Sequence, residues 1–429
     1  MSEEPFDAIV VGGGPAGASA ALVLAREGGN VLVIERGNYA GAKNVTGGRL
    51  YGHSLERLIP GFAEHAPIER RITREKISFL TDDSAVTLDY HNGRNVLLSH
   101  DSYSILRAKF DPWLMAQAET AGAQFIPGIR VDGLVQHNGK VNGVEADGEV
   151  LEANTVILAE GVNAILAEQI GMAQSVSPAS VAIGVKELIE LPRELLEARF
   201  GLEGSEGTAW LFVGSPSGGQ MGGGFLYTNN DTLSLGFVYG LHHIEHAQKS
   251  VPQMLEHFKR HPAVRPLIAG GKTIEYSAHL VPEAGINMQP KLVGDGVLIV
   301  GDTAGMCLNL GFTIRGMDLA IASGEAAARA VLEAKEKNDF TSRGLNGYLH
   351  HLEKLSVMKD LRYYRKIPAM MDNPRLFACY PQMAAGIMSD LFTVNGLPPQ
   401  SLCKKIMRRC KAVGYLNLIR DGIKGITTL

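Results

Sequence analysis

The sequence predicts an α/β protein with a second lobe of α+β character and a mostly helical C-terminal region. Three observations lead there. A β-branched run at 7–11 leads into Gly12-Gly13-Gly14-Pro15-Ala16-Gly17, a small-residue helical stretch, and a second strand that ends on Glu35. A later apolar run, 296–300, ends in Gly301-Asp302 and is followed by another small-residue helix. Between them, 67–100 and 180–280 read as strand-like runs separated by turns. At 429 residues the chain exceeds one ordinary core, so two or three packed lobes are expected.

The first unit carries strand, Gly-x-Gly-x-x-Gly, helix, strand and acid in the order of a Rossmann-type dinucleotide site. Gly12 permits the tight turn, Gly14 lets backbone approach a pyrophosphate, and Gly17 lets the helix pack on the sheet. Pro15 and Ala16 open that helix, whose free N–H groups favour phosphate. Glu35, eighteen residues beyond Gly17, is placed to accept hydrogen bonds from a ribose, with Arg36 beside it. With 50 glycines in the chain, the glycine pattern alone would decide little, and it is the ordered surroundings that make it specific.

Composition excludes several classes. A formal net charge of −4 gives no reason to expect nucleic acid as a partner. Four cysteines in so long a chain do not make a disulfide framework, which points to a reducing, cytoplasmic setting. The N-terminus lacks a basic leader region, and its apolar run is used at once as a strand. No uninterrupted apolar run is long enough to span a bilayer, which leaves surface attachment at the inner membrane open.

Along the chain, the glycine-rich stretch 41–49 reads either as a loop passing the cofactor or as a plain surface loop. Strands are expected at 77–80 and 86–90. Asp111-Pro112 predicts a helix N-cap with proline at the first position, and Arg107 just upstream is a candidate phosphate clamp. Residues 125–151 read as a small meander feeding a buried strand, 155–159. In the second lobe, Gly222-Gly223-Gly224 precedes a strand and reads as close packing, and a helix is expected near 251–260. Asp302 at a strand end and the glycine-lined start of the next helix suit the ribityl chain and ring of a flavin. Beyond 335 come charge-laced helices, two Met-rich apolar segments, and a tail with Lys404, Lys405, Arg408, Arg409 and Lys411. Ordinary core helices with solvated basic faces, or membrane or partner contact, both fit that tail.

With these motifs in place, the chain resembles the electron-transfer-flavoprotein:quinone oxidoreductase family, in its FixC-like branch. The resemblance runs end to end, through DAIVVGGGPAGASAALVLAREG, LVIERG, GAKNVTGGRLY, SILRAKFDPWLM, VILAEGVN, YSAHLVPEAG and LIVGDTAGMCLNLGFTIRGMDLAIASGEAAA. It implies FAD held by Gly12, Gly14, Gly17 and Glu35 at the ADP half, and by Arg107 at the phosphates. Asp302 and Gly301 would lie at the ribityl chain, and Gly311, Thr313 and Gly316 along the ring. It implies electrons taken from a reduced electron-transfer flavoprotein and passed to a quinone or a ferredoxin-like carrier. An NAD(P)H-dependent flavin monooxygenase or prenyl-chain reductase shares these motifs and stands as the rival. Glu160 replaces the Asp usual in the return-strand motif and is not taken as a ligand. The four-cysteine set of fused relatives is lacking, so a separate ferredoxin-like iron–sulfur protein is expected as partner, and no metal site in the chain. No catalytic side chain is required; His279 and Glu283 are candidates for the acceptor pocket. The expected organisation is 1–66, 101–175 and 285–335 for FAD, 67–100 and 176–284 for the acceptor lobe, and 336–429 for the C-terminal region.

Overall fold

The computed structural model describes residues 5–42, 48–93, 101–396, 398 and 400–428, and most of the 41–49 stretch lies outside them. The first sheet is built on β1 (Phe6–Val11), which pairs in parallel with β2 (Val31–Glu35) on one side and β10 (Glu149–Leu158) on the other. Helix α1 (Pro15–Arg26) crosses between β1 and β2 and is buried from Pro15 through Ala25. Its alanines let it lie flat against the strands. β17 (Val297–Ile299) extends the sheet beyond β10, in parallel, and brings the Gly301-Asp302 turn beside the glycine turn after β1. Both turns sit at the C-terminal ends of parallel strands, where ligands bind in open α/β sheets.

The structure alters two local expectations here. Phe125 and Ile126 belong to β7 (Gln124–Pro127), which pairs in parallel with β2 and so joins the main sheet, not the meander. The meander proper is β8 (Val131–His137), β9 (Lys140–Ala146) and the first half of β10. Helix α2 runs Arg107–Thr120, so Asp111 is no N-cap and Pro112 lies inside the helix. Asp111 is instead fully buried as the partner of Arg107 one turn earlier, and that pairing outweighs the hydrogen bond that Pro112 cannot donate.

The second sheet runs in the order β15 (Lys272–Pro282), β11 (Val181–Glu190), β14 (Thr232–Gly240), β13 (Gly222–Thr228), β12 (Glu206–Gly214) and β4 (Ile68–Leu80). It takes in two further strands from segments flanking the first lobe, β6 (Ser102–Ile105) and β3 (Gly48–Tyr51). β5 (Ala85–His91) pairs antiparallel with β4. Helix α3 (Val251–Arg260) covers one face with Phe258, whose ring centroid lies 5.0 Å from that of Phe212. A capping box at Ser250 and Gln253 fixes the start of α3. The glycine triplet does pack closely: a Cβ on Gly224 would fall 2.3 Å from the Phe258 ring, and one on Gly223 2.3 Å from the Phe212 carbonyl oxygen.

Helix α4 (Met317–Lys337) returns the chain against α1 and closes the first core. The C-terminal region continues through short helices, among them α5 (Ile367–Met371), to α6 (Cys379–Phe392), α7 (Leu402–Val413) and α8 (Tyr415–Thr428). Asp421 on α8 accepts from both Arg375 nitrogens at 2.6 and 2.7 Å and from the Tyr380 hydroxyl at 2.7 Å. Asp390 on α6 likewise takes Arg408 and Arg409 of α7. Among the described residues no helix is long and apolar enough to cross a membrane.

Candidate cofactor and acceptor site

A cavity of about 770 Å³ runs from the glycine turn after β1, between the two sheets, to the C-terminal helices. That is within the ~300–1,000 Å³ typical of small-molecule and cofactor sites. Its first half is lined by Gly12, Gly14, Pro15, Ala16, Glu35, Arg36, Arg107, Gly301 and Asp302. Nine of the sequence-predicted residues therefore meet on one wall.

The glycines there divide the work. Gly12 has φ +110°, and a Cβ would lie 2.3 Å from the carbonyl oxygen of Ala159, the residue just past the end of β10. A Cβ on Gly17 would lie 2.0 Å from the Gly12 oxygen, so Gly17 serves packing and does not line the cavity. Gly14 differs: its Cβ would meet nothing nearer than Arg107 Nη2 at 3.8 Å. The space above Gly14, at the N-terminus of α1, is kept for something other than protein. Glu35 accepts from the backbone N–H of Gly13 at 2.8 Å and of Gly37 at 2.7 Å. Each oxygen keeps a further lone pair for a ribose hydroxyl. Arg107 is held by two bonds to Asp111, Nε to Oδ1 at 2.6 Å and Nη2 to Oδ2 at 2.7 Å, which fixes its guanidinium at the cavity edge.

Asp302 faces the cavity without a hydrogen bond to its carboxylate from the described residues. Burial raises its pKa above the ordinary value, and the charge of Arg107 only partly offsets this. An orphan acceptor in that place is what a sugar-alcohol chain would satisfy. Gly316, at the N-terminus of α4, lines the cavity, and a Cβ there would meet nothing within 4 Å. Gly311 also lines it. The residues present thus fit FAD: an open helix N-terminus for the pyrophosphate, an acid for the ribose, and an unpartnered acid with glycine-lined backbone beyond.

Thr313 is placed differently. It lines a neighbouring cavity of about 420 Å³, with Tyr51, Leu88 and Tyr90, and is absent from the wall of the larger one. Glu160, not taken as a ligand, accepts from the backbone N–H of Leu166 and Ala167 at 2.9 and 3.0 Å and so caps the short helix Ile165–Gln169.

The other half of the cavity belongs to the second lobe and the C-terminal region. Lys186 on β11 is 1% exposed yet lines it, and burial drives its pKa well below the ordinary lysine value. Sequence reading missed this residue, because one lysine in a strand gives no periodic signal. His279 lies on the adjacent β15, its pKa lowered by burial and then by Arg107 and Arg36. Glu283 accepts from Asn309 Nδ2 at 2.8 Å, while Asn309 Oδ1 accepts from the Gly311 N–H at 2.9 Å. That second bond fixes the orientation of the amide. Burial pushes the Glu283 carboxyl up to about 7, with the Asn309 bond working the other way. Met371 and Phe377, also missed, bring the C-terminal region to the wall.

Comparison with known proteins agrees with this division. Residues 6–195 match the FAD binding domain model, 181–281 match the ETF-QO ubiquinone-binding model, and 367–429 match the ETF-QO/FixC family C-terminal domain. The chain is 66% identical to Protein FixC of Escherichia coli K12 over 429 residues, all of both chains. It is 61% identical, again over all of both chains, to the same organism's probable electron transfer flavoprotein-quinone oxidoreductase YdiS. Its fold is similar to that of a geranylgeranyl bacteriochlorophyll reductase-like protein from Thermoplasma acidophilum, with TM-score 0.71 at 20% identity, covering 96% of this chain and 99% of that one. It is also similar to halogenase PltM in complex with FAD, with TM-score 0.63 at 16% identity, covering 90% and 80%. The chain therefore belongs to the ETF-QO/FixC family and is an FAD-dependent oxidoreductase.

Proposed function

We propose that this protein takes electrons from a reduced electron-transfer flavoprotein onto FAD and passes them to a quinone. One observation carries the reading. A single cavity joins the dinucleotide turn of the first sheet to the lobe that matches the ubiquinone-binding model. Bound FAD supplies the two-electron redox chemistry. The chain's own residues do the rest. The N-terminus of α1 and Arg107 hold phosphate charge, Glu35 orients the ribose, and Asp302 accepts from the ribityl hydroxyls. Arg107 places positive charge beside the cavity, which favours electron gain there.

Reduction of a quinone to a quinol consumes two protons as well as two electrons. Glu283 is the group suited to hold one of them, since its carboxyl titrates near neutral pH and faces the cavity. Asn309 keeps it oriented.

The partners follow from chemistry at the surface. The exposed stripe Leu416, Ile419, Ile423 and Ile426 on α8, together with the exposed Phe392 and Val394, suits a peripheral seat on a membrane, where a quinone would be met. The basic residues of α7 contribute less, because Arg408 and Arg409 are engaged by Asp390. The four thiols are all free, with Cys307 buried and Cys403 exposed. A ferredoxin-like iron–sulfur carrier in the path would be a separate protein, and anaerobically purified material should contain FAD without stoichiometric iron.

The test is anaerobic. Reduced electron-transfer flavoprotein should bleach the flavin rapidly and NADPH should not. Rapid bleaching by NADPH alone would replace this reading with a monooxygenase or a prenyl-chain reductase.

A further inference from the structure

A cluster of ligating side chains lies outside the flavin cradle, where the acceptor lobe meets the C-terminal helices. β14 ends at Gly240, and the chain turns at once into a 3₁₀ helix, Leu241–His246. Consecutive side chains on such a helix diverge by about 120°. His242 and His243 nevertheless turn together, their ring centroids 3.9 Å apart. Their Nε2 atoms converge on one oxygen, Asp372 Oδ1, at 2.9 and 3.3 Å. Asp372 comes from another part of the chain, immediately after α5. The three ligand atoms lie within 4.8 Å of one another.

The 2.9 Å contact lies in the ordinary N–H···O range, while the 3.3 Å one lies outside it. A tetrahedral ion bound at ~2.0–2.1 Å would set its ligands about 3.3 Å apart, the separation seen between His243 Nε2 and Asp372 Oδ1 and a few tenths of an ångström wider than that at His242. Two imidazole nitrogens and one carboxylate oxygen make the donor set of a zinc-class ion, whereas calcium and magnesium prefer all-oxygen sites. Asp372 is half exposed, which leaves an entry path and room for water as a fourth ligand.

We propose that His242, His243 and Asp372 bind one divalent transition-metal ion of the zinc class, and that this ion latches the C-terminal region to the acceptor lobe. The latch would act on the cavity wall. Met371, the residue before Asp372, lines the cavity, and its sulfur lies 3.2 Å from the position a Cβ would take on Gly311. On the other side, His242 Cε1 and the sulfur of Met221, also a lining residue, both lie 3.2 Å from the corresponding position at Gly240. One ion would therefore fix two walls of the acceptor pocket relative to each other. The proposal stands independently of which acceptor is used.

The experiment uses tag-free, FAD-loaded protein, stripped with a chelator and dialysed against zinc. Bound metal is counted per chain, affinity is measured by competition with a chromogenic chelator, and the zinc X-ray absorption edge reports the ligand atoms. One zinc per chain with a nitrogen and oxygen shell is expected. His243→Ala and Asp372→Asn should each weaken binding at least about tenfold, since loss of even an outer-shell partner costs that much. Asp372→Asn changes only a half-exposed side chain, and unchanged FAD content would show that it folds. Failure to bind zinc at a hundredfold excess over protein would overturn the proposal, as would binding indifferent to Asp372→Asn. A sulfur-containing shell would also overturn it, because the ion would then sit on the thiols.

Discussion

The two ends of the cavity are built on opposite principles. At the β1–α1 turn, specificity comes from what is missing: Gly12 and Gly17 remove side chains so that backbone can touch backbone, and Gly14 removes one so that a ligand can. At the acceptor end it comes from polar side chains, the buried Lys186 on β11 and the part-buried Glu283 locked by Asn309. The first end relies chiefly on backbone atoms at its turn, with the carboxylates of Glu35 and Asp302 added to them. The second is tunable, because burial has moved its titrations away from their ordinary values.

That contrast is sharpest in a pair of glycine variants. Gly17→Val must displace the Gly12 carbonyl, since its Cβ would sit 2.0 Å from that oxygen. The expected cost is about 3 kcal/mol or more, seen as a large fall in the denaturation midpoint or loss of soluble protein. Gly14→Val meets no protein atom within 3.8 Å of its Cβ, so the chain should fold but purify as colourless apoprotein. Yellow Gly14→Val protein with near-full FAD would break the division of labour between the two glycines.

Next in size is Asp302→Ala. It removes a charge-assisted acceptor and should weaken FAD binding by about 1.5–3 kcal/mol, roughly tenfold or more in Kd. Unchanged affinity in flavin titrations of apoprotein would show that the acid serves only the local turn.

At the acceptor end, Glu283→Gln should leave FAD affinity near wild type but change the pH dependence. The folded carboxyl holds its proton up to about 7, against an ordinary value of 4.5. The folded state therefore binds more protons than the unfolded chain across that interval, and stability falls as pH rises through it. In urea titrations the wild type should lose stability between those pH values and the Gln variant should lose less. Parallel profiles would remove Glu283 from the proton path. The smallest effect concerns the surface. Ile423→Asp should release the protein from anionic liposomes, whereas raising the salt should release little of it, because Asp390 already engages Arg408 and Arg409.

The same contrast explains what could be read in the chain. The turn that builds the cradle was legible because its signals are local: a strand, three glycines and an acid fall within one βαβ unit, and the fold brings Gly12, Gly14 and Glu35 to the same cavity. Asp302 and Gly316 were legible for the same reason, as a strand end and a helix start. Thr313 was not, since the direction a side chain takes on a two-residue strand (Ile314–Arg315 and its flank) depends on pairing with Leu308–Asn309. Asp111 looked like a cap only because its true partner, Arg107, makes no mark on the pattern of helix starts. Lys186 and the walls from Met371 and Phe377 were invisible, because they reach the cavity through contacts between distant segments. The histidine pair at 242–243 joined Asp372 in the same way, across 130 residues.

The central claim is that electrons leave the flavin for a quinone in the second lobe. The direct measurement starts from FAD-loaded protein, reduced anaerobically with one equivalent of dithionite and mixed with a short-tailed ubiquinone while flavin absorbance is followed. Full return of the oxidised flavin is expected with one quinone consumed per flavin, and Glu283→Gln should slow it most below pH 7, where the wild-type carboxyl still holds its proton. Flavin that stays reduced in the presence of excess quinone would contradict it.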